Sequence, residues 1–214
     1  MAQDADEIEH PAPTVSQDAG YQQTDTVVHE VSATLVVPRI SPTSSYASAY
    51  TFVSAQVLGS SARLPFIQAG INEDESDRHI TYTAYWSDNA HGAKSVPRFA
   101  VKPGDRVSVS LAHGHRHWTI TFADGATRRR IVTSQEGDAT FKDALWTQED
   151  PDVGSHFYVY PKITEVRISN LSVNGVAPAQ WELNPDWMSI GRSGVRFKPT
   201  ALTRDAFTVA PTGR

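Results

Sequence analysis

No stretch of this chain keeps a helical hydrophobic period over three or more turns. Apolar residues come instead in short runs rich in Val, Ile, Thr, Tyr and Phe, stopped by Gly, Pro and Asp. Such punctuation restricts the chain to antiparallel β architecture. Strands are predicted at Val27–Val37, Tyr50–Leu58, Ile80–Trp86, Arg106–Leu111, His117–Phe122 and Arg128–Thr133. Further strands are expected at Phe141–Thr147, Phe157–Tyr160, Glu165–Val173, Asp186–Ile190, Val195–Lys198 and Ala206–Val209. Asp124-Gly125 and Asn174-Gly175 mark tight turns. Asn72–Arg78, acidic and polar, reads as a loop. No internal repeat of fixed period is present.

One strand carries an unusual residue. In Arg63–Ile71 a single amide, Gln68, stands among apolar side chains. Phe66, Gln68 and Gly70 share one face, and Pro65, Ile67 and Ala69 share the other. A buried amide needs hydrogen-bond partners or an opening. Gln68 is therefore either a core glutamine bonded to a nearby loop or a groove residue that polarises a carbonyl. Gly70 leaves room beside it for a ligand or another backbone.

The length of 214 residues suits one large domain or two small ones, and all-β sandwiches commonly reach this size as a single domain. Six acids and no Lys or Arg lie in residues 1–26, which leaves 18 acids against 19 bases in the remainder. Residues 1–25 are therefore expected to form an acidic, disordered tail ahead of one domain at 26–214. A nucleic-acid partner is not expected, because the folded part has no basic excess. The lack of cysteine excludes disulfides and thiolate metal sites. No run approaches the ~20 apolar residues of a membrane span. No signal-peptide core follows Met1, which suggests a cytoplasmic protein or a secreted one whose leader has been removed.

Several motifs, in order, resemble the eqolisins, the glutamic peptidases. They are Val31-Ser32-Ala33-Thr34 with Val37-Pro38, Phe66-Ile67-Gln68-Ala69-Gly70, Tyr82-Thr83-Ala84-Tyr85-Trp86, Pro103-Gly104-Asp105 and Asp143–Asp150. The resemblance implies a sandwich of two bent antiparallel sheets, concanavalin- or lectin-like, with a concave groove. It also implies a catalytic pair in which a glutamate activates water and a glutamine, here Gln68, stabilises the oxyanion. Leu145 falls at the position aligned with that glutamate, and an alkyl chain cannot take a proton. Thr83 and Ser87 stand where acidic residues are expected on the aromatic strand. Glu149 shares a strand face with Leu145 and Thr147, but ~13 Å further along at ~3.3 Å per residue, too far to replace the missing carboxylate.

These departures lead to an expectation of a dismantled peptidase centre. Its neutral, aromatic groove would bind a small organic or peptide-like ligand, or transform it as a repurposed cyclase or isomerase. Phe66, Thr83, Ser87, Leu145 and Thr147 would line it, with Gln68 and Tyr85 orienting a carbonyl. Two alternatives remain: an active glutamic endopeptidase using Gln68 with Glu149, and a non-catalytic glycan- or peptide-binding module. No cofactor is expected. His113, His115 and His117 could form a metal face, but Gly114 puts them at a hairpin tip, where solvated histidines are ordinary. Arg128-Arg129-Arg130 reads as a solvated basic run, and Trp181, Trp187 and Tyr160 as core or sheet-rim aromatics. No Gly-x-Ser-x-Gly elbow supports a serine hydrolase.

Overall fold

A computed structural model describes residues 14–42, 49–59, 65–133, 140–150, 152–153, 156–157, 160–189 and 195–212. Fifteen strands join one continuous sheet. They are β1 (Thr14–Ser16), β2 (Asp18–Gln23), β3 (Glu30–Val36), β4 (Ala49–Gly59), β5 (Phe66–Ser76), β6 (His79–Asp88), β7 (Lys94–Ala100), β8 (Arg106–His113), β9 (Trp118–Ala123), β10 (Arg128–Thr133), β11 (Phe141–Glu149), β12 (Val166–Val173), β13 (Asn184–Ser189), β14 (Val195–Pro199) and β15 (Ala206–Pro211). The spatial order is β10-β9-β8-β3-β12-β15-β14-β13-β2-β11-β4-β5-β6-β7, with β1 beside β13. All pairings are antiparallel except β1 with β13.

The sheet curls so that its two ends meet. The Arg129 guanidinium on β10 donates to the carbonyls of Pro97 (3.3 Å) and Arg98 (2.9 Å) on β7. Alternation along each strand sends one set of side chains into the space between the two halves. Val31, Ala33, Leu35, Val109, Leu111, Ile120 and Phe122 enter from one half. Val53, Ala55, Val57, Ile67, Ala69, Ile71 and Trp146 enter from the other. Trp146 is fully buried, and its Nε1–H crosses the sandwich to the carbonyl of Ser32 at 3.1 Å. The all-β sandwich read from the sequence is the fold observed.

Three local expectations are corrected. Asn72–Arg78 is not a loop, because β5 runs to Ser76 and carries Glu73 and Glu75 into the interior. Lys94–Ala100, unassigned from sequence, forms an edge strand. The expected tail through residue 25 includes β2, which is paired with β11 on one side and β13 on the other. Its Ala19 and Tyr21 lie in the core, which explains why a locally polar segment is ordered. Residues 1–13 lie outside the described residues, as do residues 158 and 159 of the expected Phe157–Tyr160 strand.

Gly20 of β2 is a close-approach position. An added Cβ would overlap the carbonyl oxygen of Trp146 on β11. A chain beginning at residue 25, compared with one beginning at residue 14, should melt lower by on the order of 10 °C or more, taking ~2–4 °C per kcal/mol for a chain of this size. Equal melting temperatures for the two would mean that β2 is not an integral strand.

Candidate active site

Five adjacent strands build one polar face opposite the core. Their register makes three rows across β2, β11, β4, β5 and β6. The first contains Gln22, Leu145, Gln56, Gln68 and Ser87. The second contains Gly20, Thr147, Ser54, Gly70 and Tyr85, and the third Asp18, Glu149, Phe52, Asn72 and Thr83. Every site residue expected from sequence except Phe66 falls in these rows. Phe66 lies on β5 just beyond the first row, half-buried, opposite Leu58.

The middle row decides the geometry. It holds two glycines and a serine, so long side chains from the outer rows can lean over it. Gln68 leans from one side, donating through Nε2 to Ser54 Oγ at 3.1 Å. Glu149 leans from the other, where Thr147 Oγ1 donates to its Oε1 at 3.3 Å. They meet: Gln68 Nε2 donates to Glu149 Oε1 at 2.6 Å. This corrects the reasoning that placed Glu149 out of reach. That reasoning measured Cα separation along a flat strand. The reach is instead shared between two long side chains, each crossing only two residues over a gap cleared by Gly70. A Cβ at Gly70 would also overlap the carbonyl oxygen of Val53, so the glycine permits close packing of β4 on β5 as well.

Glu149 is held by neutral donors. Gln56 Nε2 adds a third bond to Oε1 at 3.1 Å. The carbonyl of Glu149 accepts from Thr51 Oγ1 at 2.6 Å, and the Asp150 N–H donates to the Gln17 carbonyl at 2.9 Å. Both bonds fix the end of β11. Burial, followed by the charge of Asp18, raises the Glu149 carboxyl well above the usual carboxylate range. Burial and then the charge of Asp186 raise Asp18 to about 7. Burial raises Asp186 to about 6.

Tyr85 is buried edge-on to Phe52, with centroids 5.4 Å apart. Burial, then the Glu149 charge, pushes its phenol up, so it stays a donor at any ordinary pH. Leu145 is buried on the site face beside Gln56 and is not part of the sandwich core. Thr83 and Ser87 occupy the β6 flank.

Sequence reading missed Gln56, Ser54, Asp18 and Asp186. Gln56 was legible in principle, as an amide in an apolar strand with the same parity as Gln68. Asp18 was not, because it was assigned to the tail. The histidines at 113–117 do form a turn, closed by Gly114 N–H to the His117 carbonyl at 2.8 Å. Among the described residues, no group of three His, Cys, Asp or Glu is placed to hold a metal. No helix there is long and apolar enough to cross a membrane. Trp181, expected in the core or at the rim, is 62% exposed.

The raised carboxyls fix the sign of the pH dependence of stability. Asp18 and Asp186 bind protons in the folded chain at pH values where the unfolded chain has lost them. Their stabilisation is complete below the ordinary Asp value of 3.8 and is lost as pH rises through about 6 to 7. The melting temperature should fall from pH 4 to pH 7, with a shallower slope in D18N and D186N. A melting temperature rising over that range would contradict the protonation states assigned here.

The chain matches the Peptidase A4 family over residues 16–186. No curated protein sequence matches it. Among solved structures, it is similar to scytalido-glutamic peptidase with a transition state analog inhibitor, with a TM-score of 0.73 and 17% identity over 92% of this chain and 98% of that one. SCP-B, a member of the eqolisin family in complex with the tripeptide Ala-Ile-His, gives a TM-score of 0.69 and 17% identity over the same shares. Aspergilloglutamic peptidase from Aspergillus niger gives 0.55 and 18% over 77% of this chain and 99% of that one. The likeness to these structures is one of fold, and with the match over residues 16–186 the chain belongs to the peptidase A4, or eqolisin, family.

Proposed function

We propose that the protein is a glutamic-type endopeptidase in which Glu149 is the general base and Gln68 the oxyanion ligand. The 2.6 Å contact between Gln68 Nε2 and Glu149 Oε1 supports this reading above all. With the direct Gln68–Glu149 bond opened by substrate, a water bonded to Glu149 would attack the scissile carbonyl carbon. Glu149 accepts the water proton, and the Gln68 amide stabilises the charge that develops on the carbonyl oxygen. Both N–H bonds of Gln68 are used inside the site, on Ser54 and Glu149. A substrate oxygen must therefore take the place of one of them, or share it.

Glu149 acts as a base only when ionised. Because its carboxyl is raised, activity should climb with pH until Glu149 has ionised. Phe52, Tyr85 and Leu145 give the face an apolar, aromatic component suited to the side chains of an extended peptide. A transition state analog and a tripeptide are bound by the eqolisins named above.

A second reading keeps the groove but not the proteolysis. Leu145 and Tyr85 also suit a small organic ligand bound or transformed without bond hydrolysis. The reason for preferring that reading was the lack of a carboxylate near Gln68, and Glu149 supplies one. Incubation with unfolded protein from pH 3 to pH 8, read by mass spectrometry, separates the two. Cleavage should fall by about 10²–10⁴-fold in Glu149→Gln and about 10²–10³-fold in Gln68→Ala. Folded wild type that produces no fragments at any pH would reject the peptidase reading, and so would cleavage indifferent to both substitutions.

A further inference from the structure

We propose that Asp18 is the positioning residue of this site, sharing a single proton with Glu149 so that the two carboxyls work as a pair. The inference rests on the peptidase reading and deepens it. The register sets Asp18 directly opposite Glu149 on β2 and β11, with both side chains on the site face. One Asp18 carboxyl oxygen is buried, and the Asp18 carboxyl faces that of Glu149 closely enough to act on it as a neighbouring charge. An ionised carboxylate only accepts, so two carboxyls that face each other in this way can bond to one another only when one of them carries a proton. The sheet therefore builds a three-part site: an amide on β5, a base on β11 and a second carboxyl on β2.

The surrounding groups favour retention of that proton. On β13, Asp186 pairs with Gly20 and acts on Asp18 as a further negative charge. From β4 and β5 come the neutral Gln56 and Gln68, and from β11 the Thr147 hydroxyl. Tyr85 on β6 is a protonated phenol. Across the sheet, on the core side, Glu73 is buried and itself raised. Two adjacent anions in such surroundings repel, and the first proton to leave makes the second harder to remove.

The step balances with one shared proton. When water attacks, that proton must stand on Asp18, which leaves Glu149 able to accept. Water forms a C–O bond to the carbonyl carbon and gives one proton to Glu149, while the carbonyl π-electrons move onto oxygen. The pair then holds two protons. As the C–N bond breaks, its electrons go to nitrogen, which takes one proton from the pair. The products are a carboxylic acid and an amine, and the pair again holds one proton.

The test is the pH profile of Asp18→Asn against wild type, beside carboxyl ¹³C NMR of both. Wild type should show a bell-shaped kcat/KM profile, its acid limb from the first ionisation of the pair and its alkaline limb from the second. Asp18→Asn removes the neighbouring charge. The first ionisation of the pair already takes place beside a neutral partner, so Asp18→Asn should leave the acid limb near its place and abolish the alkaline limb. Asp18→Glu, which restores a carboxyl, should recover the bell. A residue needed only for folding would lower activity without moving either limb. An unchanged profile in active Asp18→Asn overturns the proposal.

If Asp18→Asn does not fold, wild type decides by NMR. A two-step titration of Glu149 mirrored by Asp18 supports the pair, and independent single steps overturn it. The NMR arm also stands apart from proteolysis. Wild type that titrates as a pair but cleaves nothing would reject the peptidase function, not the shared proton.

Discussion

The site depends on one contact, the 2.6 Å hydrogen bond between Gln68 and Glu149, and that contact depends on what lies beneath it. Two side chains from rows four residues apart cannot meet on a flat, fully substituted sheet. They meet here because the row between them contains Gly20, Ser54 and Gly70. Both glycines also allow neighbouring backbones to approach, Gly20 against Trp146 and Gly70 against Val53. The same absence of side chains thus serves the packing of the sheet and the convergence of the site.

Burial sets the chemistry that follows. A carboxylate moved out of water must be paired, hydrogen-bonded or protonated. Glu149 receives bonds from two amides and a hydroxyl, all neutral. Neutral donors steady the anion without supplying a countercharge, and the neighbouring Asp18 adds a like charge instead. The result is a carboxyl that holds its proton unusually well. The adjacent residue repeats the motif on the other face, where Gln148 Nε2 lies 3.5 Å from Glu73 Oε2 inside the sandwich. Glu73 is raised for the same first reason, burial, but it sits in the core rather than beside Gln68. Alternation along β11 therefore sends two neighbouring residues, Gln148 and Glu149, to two separate amide–carboxyl pairs.

Much of the fold was legible because antiparallel strands are local in their signals: alternation, Gly and Asp turns, and the lack of a helical period. Parity alone grouped Leu145, Thr147 and Glu149 on one strand and Gln68 with Gly70 on another, and the family resemblance joined those faces into one groove. What parity does not carry is curvature and side-chain reach. A distance of ~13 Å counted at ~3.3 Å per residue is a statement about Cα positions. It says nothing about two long side chains converging over glycines. The segment around β2 was illegible for a different reason. Its composition is polar, and its order comes from partners far along the chain, β11 and β13. Tyr21 shows this in one residue: its ring packs edge-on to Phe207, and its hydroxyl donates to the Thr200 carbonyl at 3.0 Å. The buried acids of β5 were misread similarly, since Glu73 and Glu75 look solvated until their strand is extended.

The position of β2 joins the fold to the chemistry. The strand bridges β13 and β11, so removing it opens the sheet between them. It also delivers Asp18 to Glu149. Protonation of that carboxyl removes a repulsion at a seam between strands, and ionisation restores it. The group that tunes the base is thus also one whose charge acts on the pairing of β2 with β11. Stability and reactivity then respond to pH in opposite senses. On the proposed peptidase reading, the proton that relieves the seam must be partly lost before Glu149 can accept one from water. The useful range lies between the two ionisations, where one proton remains to hold the carboxyls together and one carboxylate is free to act.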